Sequence, residues 1–333
     1  MKAQEHPSKR VWSVILAGGE GERVRPLIQR WLGCHKPKQY CAFVGTRSMF
    51  QHTVDRATRL TPPARTVAVV ARGHRPDALA QLTRRGVGTL VLQPENRDTV
   101  AGLFLPLTYV RARDPLATVV IYPSDHFVYP ESRFLDTVQR AMMVANSLPD
   151  RLVLLGVMPD RLELEYGWIL PGVILPARGL DAKVQTVEAF LEKPTATQAD
   201  VALSAGALWN TFVMISKVST LWALGTKHFP DILQPFERLE QAIGSPEEGH
   251  VLDAIYQDMP RKNFSSDLLQ RVPDCVAVME LTGVLWSDWG KPERIAETLR
   301  RIARTPAFPR ACLDQPFAPM RAVEGERSVA ANV

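Results

Sequence analysis

The sequence predicts an α/β fold in which a mostly parallel β-sheet is flanked by helices. Short apolar runs rich in branched residues alternate with helix-like segments through the first half of the chain, a pattern typical of βαβ units. The first of these runs, 11–17, ends directly in a glycine-rich turn. Ligands of parallel sheets bind beyond the carboxyl ends of the strands. We therefore expect a functional site where the predicted strands end.

The first half of the chain contains four predicted strands and three predicted helices. Strands are predicted at 11–17, 65–71, 88–92 and 117–122, and helices at 48–59, 76–85 and 99–111. Ser48 is the expected N-cap of the first helix. Three of the strands run into polar turns, which are the glycine-rich turn, Gln93-Pro94 and Pro123-Ser124-Asp125. We expect these three turns to meet at one crevice.

The second half is less regular. Strands are predicted at 152–156, 167–170, 184–190 and 212–215, and helices at 217–228, 232–243 and 292–304, with a turn-rich break at 244–249. No internal repeat is present, and the absence of a hexapeptide pattern argues against a β-helix domain. We expect one unit over 11–304, divided near residue 150 into halves of 11–150 and 151–304. Residues 305–333 are rich in Pro, Ala and charge, which predicts a poorly ordered tail.

Composition limits the class of protein. The 333 residues are 46% apolar and carry a formal net charge of +5, enough apolar content for one large core or two joined ones. No apolar run reaches the roughly 18 residues of a membrane span, and the apolar run after the N-terminus is too short for a signal peptide, so a cytoplasmic protein without membrane contact is expected. The four cysteines lack Cys-x-x-Cys spacing. The scattered cations favour a polyanionic small substrate over nucleic acid.

The glycine-rich turn has the features of a phosphate site. Ala17-Gly18-Gly19-Glu20-Gly21 lets backbone N–H groups approach a ligand closely, and Arg23 and Arg25 follow at once. Lys36-Pro37-Lys38-Gln39 brings two more cations to the same neighbourhood. The third glycine of the dinucleotide fingerprint and the Gly-Lys-Ser/Thr ending of a P-loop are both missing.

The order Gly-Gly-x-Gly-x-Arg-x-x-Pro-Leu, followed by Pro-Lys-Gln, resembles the signature of sugar-1-phosphate nucleotidyltransferases, and most of all that of mannose-1-phosphate guanylyltransferases. The resemblance covers about residues 11 to 300. It implies a Rossmann-like fold of the nucleotide-diphospho-sugar transferase type. It also implies Mg²⁺-dependent transfer of a nucleotidyl group from a nucleoside triphosphate, with GTP favoured, to a sugar 1-phosphate, with mannose 1-phosphate favoured. Pyrophosphate is released.

The residues implied for catalysis are Arg23, Lys38 and Asp125, and those implied for the nucleotide include Ala17, Gly18, Gly19 and Gly21.

Two aspartates are implied as metal ligands. Asp125 stands in Pro-Ser-Asp-His after a buried strand, and Asp288 stands in Trp-Ser-Asp-Trp-Gly, which resembles the family's Trp-x-Asp-x-Gly. A carboxylate holds Mg²⁺ against phosphates in this chemistry, and we expect both aspartates to share one ion. Without the resemblance, each would be interpreted as a turn or cap residue. Lys291-Pro292 departs from the Ser-Trp found in many guanylyltransferases.

Other segments resemble the base and sugar sides of the family. Gln93 and Glu95 lie in the implied base loop, where a carboxylate such as Glu95 would accept from the donors of a guanine edge. The implied sugar-phosphate residues are Gly167, Glu192, Lys193 and Asn210. Phe212 replaces a glycine of the Trp-Asn-Ser-Gly motif, and Ser265 stands where the family often has an aspartate.

Three alternatives stay open from the sequence. Another nucleotide and sugar, such as dTTP with glucose 1-phosphate, would keep the reaction class. A sugar-nucleotide-binding regulator without catalysis is disfavoured because Arg23, Lys38, Asp125 and Asp288 are all present. A dinucleotide-dependent oxidoreductase is disfavoured by the missing third glycine. The oligomeric state is open, and a homodimer is one option.

Overall fold

A nine-stranded mixed sheet carries the fold. The computed structural model describes residues 10–82, 86–176 and 182–313. The strands of the main sheet, in spatial order, are β3, β2, β1, β4, β9, β6, β10, β8 and β7. Their bounds are β1 Val11–Ala17, β2 Thr66–Ala71, β3 Thr89–Gln93, β4 Thr118–Pro123, β6 Leu152–Val157, β7 Gly167–Ile174, β8 Val184–Glu192, β9 Leu208–Lys217 and β10 Val276–Glu280. A separate ribbon pairs β5 Phe127–Tyr129 with β11 Leu285–Ser287.

The sequence predicts a mostly parallel sheet, and parallel pairing is found among the first four strands of the sheet and between β6 and β10. β1 pairs in parallel with β2 and β4, and β2 with β3. The prediction is corrected beyond β4, because β9 runs antiparallel to both β4 and β6, and β8 runs antiparallel to β7 and β10. A strand pattern predicts an extended segment but carries no information on its neighbours. The sheet is therefore mixed.

Ten helices accompany the strands in the described part of the chain. They are α1 Arg25–Leu32, α2 Met49–Leu60, α3 Arg75–Leu82, α4 Asp98–Arg113, α5 Glu131–Ser147, α6 Ala196–Ser204, α7 Val218–His228, α8 Pro230–Ala242, α9 Glu248–Gln257 and α10 Pro292–Arg301. Ser48 caps α2 as predicted, in a capping box with Gln51. None of the described helices is long and apolar enough to pass through a bilayer.

The core has three parts. One large cluster includes Phe104 of α4 and Phe236 of α8, and a second includes Ile15 of β1 and Phe134 of α5. A smaller third cluster joins α1, α10 and the segment that follows α10. The predicted tail is corrected for residues 305–313, because Phe308 is buried there and packs edge-on against Trp31 and Phe43. Residues 314–333 lie outside the described residues.

The site is positioned by the order of the first strands. The chain passes from β1 to β2 and β3 on one side and returns to β4 on the other side of β1. Neighbouring strands whose connections leave in opposite directions leave a crevice at their carboxyl ends. The glycine-rich turn follows β1 and the Pro123-Ser124-Asp125 turn follows β4, so both edge this crevice.

Candidate functional site

A cleft of about 540 Å³ opens at this end of the sheet. Eight of the predicted site residues line it, namely Gly18, Gly19, Gln93, Asp125, Gly167, Glu192, Asn210 and Asp288. A smaller cavity of about 240 Å³ adjoins it and is lined by Gly21, Arg23, Lys38 and Asp125, among others. Asp125 borders both. The structure thus brings residues from both halves of the chain to one place.

The glycine-rich turn is held by Gln39. This buried side chain donates from Nε2 to the carbonyl oxygens of Ala17 at 3.0 Å and Gly19 at 2.8 Å. Gly21 has a φ of 66°, and a Cβ added there would lie 2.7 Å from the Cβ of Lys38, so this position requires glycine. A Cβ on Gly19 would meet no atom within 4 Å, which leaves this stretch of backbone open to a ligand in the cleft.

Lys38 is the buried cation of the site. Its residue is 3% exposed, and Nζ lies 2.8 Å from Asp125 Oδ2 while donating to the carbonyl oxygen of Asp288 at 2.6 Å. Lys38 therefore joins the two segments that carry the predicted metal ligands. Lys36 instead pairs with Asp77 at 3.5 Å, outside the residues that line the two cavities.

Asp288 is enclosed by hydrogen-bond donors. Oδ1 accepts from Tyr166 Oη at 2.8 Å, from Arg294 Nη1 at 2.8 Å and from the Gly290 N–H at 2.9 Å, while Oδ2 accepts from Arg23 Nη2 at 3.1 Å. Burial would raise the pKa of this carboxyl, but the charges of Lys38 and Arg294 outweigh it and hold the pKa well below its usual range. Among the described residues, Oδ1 of Asp288 therefore accepts three hydrogen bonds, whereas Oδ2 accepts one, from Arg23.

Asp125 is the more open of the two aspartates. Burial would raise its pKa, but Lys38 and then His126 lower it, so the carboxyl stays ionised. The neighbouring His126 has Nδ1 3.1 Å from the carbonyl oxygen of Thr211, which can only accept, so Nδ1 carries the proton. Burial lowers the pKa of His126 despite the Asp125 charge. Its Nε2 lies 3.7 Å from Asp125 Oδ1, beyond hydrogen-bond distance.

The predicted sugar wall is formed by two facing strands. Gly167 on β7 pairs with Glu192 on β8, and a Cβ on Gly167 would lie 2.9 Å from Glu192 Oε2. The missing side chain therefore leaves room for this carboxylate. Burial raises the pKa of Glu192, which hydrogen-bonds to Ser265. Asn210 on β9 accepts from the Phe212 N–H at 3.0 Å.

Three predicted residues, Ala17, Glu95 and Lys193, line neither the cleft nor the smaller cavity. Glu95 is 62% exposed in its side chain and pairs with Arg97 at 2.9 Å, and the base-loop positions on the wall are Asn96, Asp98 and Thr99 instead. Lys193 has a φ of 47°, and its side chain is 64% exposed. Lys193 Nζ nevertheless lies 3.9 Å from Oε1 of Glu192, which lines the cleft. The carbonyl oxygen of Ala17 accepts a hydrogen bond from Gln39 Nε2.

The motif comparison missed an ion network at the mouth of the site. Arg23 Nη1 donates to Glu165 at 2.8 Å, and Lys291 Nζ lies 3.0 Å from the same carboxylate. Arg294 joins Glu165 at 3.2 Å and also pairs with Glu163. Lys291 belongs to the Lys291-Pro292 pair that departs from the guanylyltransferase pattern, and Arg294 follows it by three residues. That departure was the signal in the sequence that the residues after Asp288 differ from the family pattern.

The comparisons with known proteins agree with this geometry. The model of the family described as nucleotidyl transferase matches residues 12–305. The chain is 26% identical over 288 residues to a mannose-1-phosphate guanylyltransferase of Escherichia coli, covering 84% of this chain and 58% of that protein. It is 29% identical over 294 residues to the xanthan biosynthesis protein XanB of Xanthomonas campestris, covering 84% of this chain and 57% of that one.

A solved structure gives the same result. The crystal structure described as mannose-1-phosphate geranyltransferase from Thermus thermophilus matches with a TM-score of 0.71 and 26% identity, over 86% of this chain and 79% of that one. The chain spans somewhat over half the length of the curated relatives it matches. The family model covers most of the sequence and includes the whole cleft. The chain therefore belongs to the nucleotidyl transferase family.

Proposed function

We propose that this protein transfers a nucleotidyl group from a nucleoside triphosphate to a sugar 1-phosphate, releasing pyrophosphate and forming a nucleoside-diphosphate sugar. The observation that carries the proposal is the convergence of open glycine backbone, Arg23 and Lys38 with Asp125 at the junction of the two cavities. GTP and mannose 1-phosphate are the favoured substrates, which rests on the Pro37-Lys38-Gln39 sequence and on the name of the relative from E. coli.

The chemistry is an in-line displacement. An oxygen of the sugar 1-phosphate attacks the α-phosphorus of the triphosphate, and the bond from that phosphorus to the bridging oxygen breaks, so that pyrophosphate leaves with the electron pair. No covalent enzyme intermediate is needed, and positioning with charge neutralisation supplies the catalysis. Arg23 and Lys38 neutralise the leaving pyrophosphate, and Glu192 and Asn210 orient the sugar hydroxyls.

The donor set fits Mg²⁺ on Asp125. Its Oδ1 has no hydrogen-bond partner within 3.5 Å among the described residues, and it borders both cavities. Asp288 has only Oδ2 to offer, and that oxygen is bound by the half-exposed Arg23. Mg²⁺ is usually held by one or two carboxylates with phosphates and waters completing the octahedron, and it would neutralise charge on the α-phosphate. Asp125 is the proposed main ligand, with Asp288 Oδ2 as the second.

A pyrophosphate-release assay over a matrix of nucleoside triphosphates and sugar 1-phosphates tests the function, with mass spectrometry of each product. We expect the strongest release with GTP and mannose 1-phosphate. If only dTTP with glucose 1-phosphate is turned over, the proposed base and sugar are wrong, but the reaction class is kept. No product in any mixture, with the protein folded, would favour a binding protein without catalysis.

The metal assignment is tested separately. Asp125→Asn is expected to lower turnover by at least about a hundredfold and to weaken the apparent affinity for Mg²⁺, since it removes a charged ligand. Mn²⁺ binding by electron paramagnetic resonance provides a readout independent of turnover. Asp288→Asn should weaken the same binding, and the double variant should be little worse than either single one if the two act as a unit. Unchanged Mn²⁺ binding in Asp288→Asn would leave Asp288 as a structural anchor.

A further inference from the structure

A second cavity of about 430 Å³ lies behind the segments that carry Asp125 and Asp288. The β5–β11 ribbon separates it from the cleft, with Ser287 paired to Phe127. Asp125 and Asp288 line the cleft, whereas Phe127 and Trp289, which follow them closely in sequence, line this second cavity. The two aromatic rings stack on each other with centroids 4.7 Å apart. The stacked rings therefore join the two chain segments that carry the aspartates.

The cavity carries an excess of positive charge. Four arginines line it against two carboxylates: Arg47 pairs with Asp55, Arg56 and Arg59 share Glu131 at 3.6 and 3.2 Å, and Arg304 is the fourth. Arg56 is nearly fully buried, and the guanidinium of Arg304 makes no hydrogen bond or ion pair with any residue that the structure describes. Burial lowers the pKa of His52, so this side chain adds no charge near neutral pH. Arginines gathered in a concave site favour an anion with several oxygens.

The remaining walls are apolar. Six apolar side chains also line the cavity, those of Phe43, Val44, Met49, Phe127, Trp289 and Ile302. A bare inorganic anion would leave most of this surface uncovered, while the volume lies within the range of sites for small organic ligands. The chemistry of the walls therefore fits a phosphate group joined to a larger body.

We propose that this second cavity binds an organic phosphate and that occupancy adjusts the positions of Asp125 and Asp288 through Phe127 and Trp289. The binding itself is independent of the proposed function. The effect on turnover rests on the proposed function, since it needs a reaction to measure. The organic body is either a nucleoside or a hexose, and the experiment distinguishes the two.

The test measures binding by calorimetry on the full chain, with GMP, a hexose 6-phosphate and inorganic phosphate as separate probes. The variant Arg47→Ala/Arg304→Ala removes two of the cavity's guanidinium groups. The matched control Arg140→Ala/Arg238→Ala removes the same charge from exposed positions on α5 and α8 that do not line the cavity. Lys38→Met weakens binding in the cleft and separates the two sites.

We expect at least one organic phosphate to bind in Lys38→Met, with a dissociation constant raised at least about tenfold by adding Arg47→Ala/Arg304→Ala and unchanged by adding the control pair. Equal weakening by both pairs, or loss of all binding in Lys38→Met, would overturn the site. Inorganic phosphate binding as tightly as either organic probe would overturn the ligand class. Binding in the wild-type protein without any change in turnover would overturn the coupling to the aspartates.

Discussion

At the scale of single residues, the two lysines of the Lys-Pro-Lys-Gln segment have different surroundings. Lys38 is buried between Asp125 and the Asp288 carbonyl, whereas Lys36 lies on the surface beside Asp77. A preorganised cation that meets developing negative charge contributes on the order of a hundredfold to turnover. We expect Lys38→Met to lower kcat by at least about that factor.

Lys36→Met is the matched control for this prediction, because it removes the same charge two residues away. It should change kcat only slightly, as measured by pyrophosphate release at saturating substrate. Thermal unfolding of both variants shows whether Lys38→Met is still folded. A larger loss from Lys36→Met would mean that the motif has been aligned two residues out of place.

Gly19 allows binding and folding to be separated. Its missing side chain faces open space in the cleft, and no strained backbone angle requires glycine there. Gly19→Ala should therefore leave the free energy of unfolding within about 1 kcal/mol of the wild-type value. The added methyl group occupies the space in which the backbone would meet phosphate oxygens, so nucleotide affinity should fall at least about tenfold.

Gly73→Ala provides the comparison for this variant. Gly73 also faces open space, but it does not line the cleft. Calorimetric titration with GTP should give unchanged affinity for Gly73→Ala. If Gly19→Ala binds GTP as well as Gly73→Ala does, the glycine-rich turn is not the phosphate site.

At the scale of elements, the sequence pattern predicted the segments whose conformation is set by residues close together in the chain. The strands that carry the glycine-rich turn and Asp125 were found because each is a continuous apolar run ending in turn residues. The antiparallel insertion of β9 between β4 and β6 was not predictable in this way, since strand neighbours are chosen by packing over long sequence separations. Helix α5 was missed as well, although its buried residues Phe134, Val138, Ala141 and Ala145 follow helical spacing.

The same distinction holds for the site. The turns that follow β1 and β4 lie at the cleft, whereas Tyr166 reaches Asp288 from 122 positions away and Arg294 reaches it from the first turn of α10, with no local pattern to show either contact. Lys193 has a positive φ and a largely exposed side chain, which no motif records. Residues 305–313 lack periodicity. Their order comes from the contact of Phe308 with Trp31 and Phe43.

Gln39 fixes the conformation of the glycine-rich turn through two hydrogen bonds. Gln39→Met keeps the size of the side chain and removes both hydrogen bonds to the turn. Losing hydrogen bonds to buried partners costs about 1–3 kcal/mol of unfolding free energy, and the looser turn should raise the KM for the nucleoside triphosphate more than it lowers kcat. Urea unfolding and steady-state kinetics measure the two effects.

Gln234→Met makes the same replacement on the exposed face of α8 and should change neither quantity. A loss of stability in Gln39→Met with an unchanged KM would limit Gln39 to a role in folding. A raised KM with unchanged stability would mean that Gln39 contacts the ligand directly.

At the scale of the whole molecule, the ion network around Asp288 joins the two halves of the chain. Arg23 and Lys38 come from the first half, while Tyr166, Asp288 and Arg294 come from the second. The cleft therefore lies between the two halves, which are joined here by charged contacts as well as by the apolar cluster of α1 and α10. The charged contacts of Asp288 make the free energy of unfolding depend on pH.

The direction of that dependence follows from the pKa of Asp288. Nearby cations hold the pKa of the folded state below the value of about 3.9 expected in the unfolded chain. The resulting stability is fully present above the pKa of the unfolded state and is lost as pH falls towards the pKa of the folded state.

Asp288→Asn removes this contribution and leaves Arg294 without one of its carboxylate partners. The variant should therefore unfold at a clearly lower temperature at pH 7, and its difference from the wild-type protein should narrow as pH falls from about 5 to 3. Calorimetry across this range, with the exposed Asp200→Asn as the control, measures the difference. A gap between wild type and Asp288→Asn that stays constant with pH would mean that the Asp288 charge does not hold the two halves together.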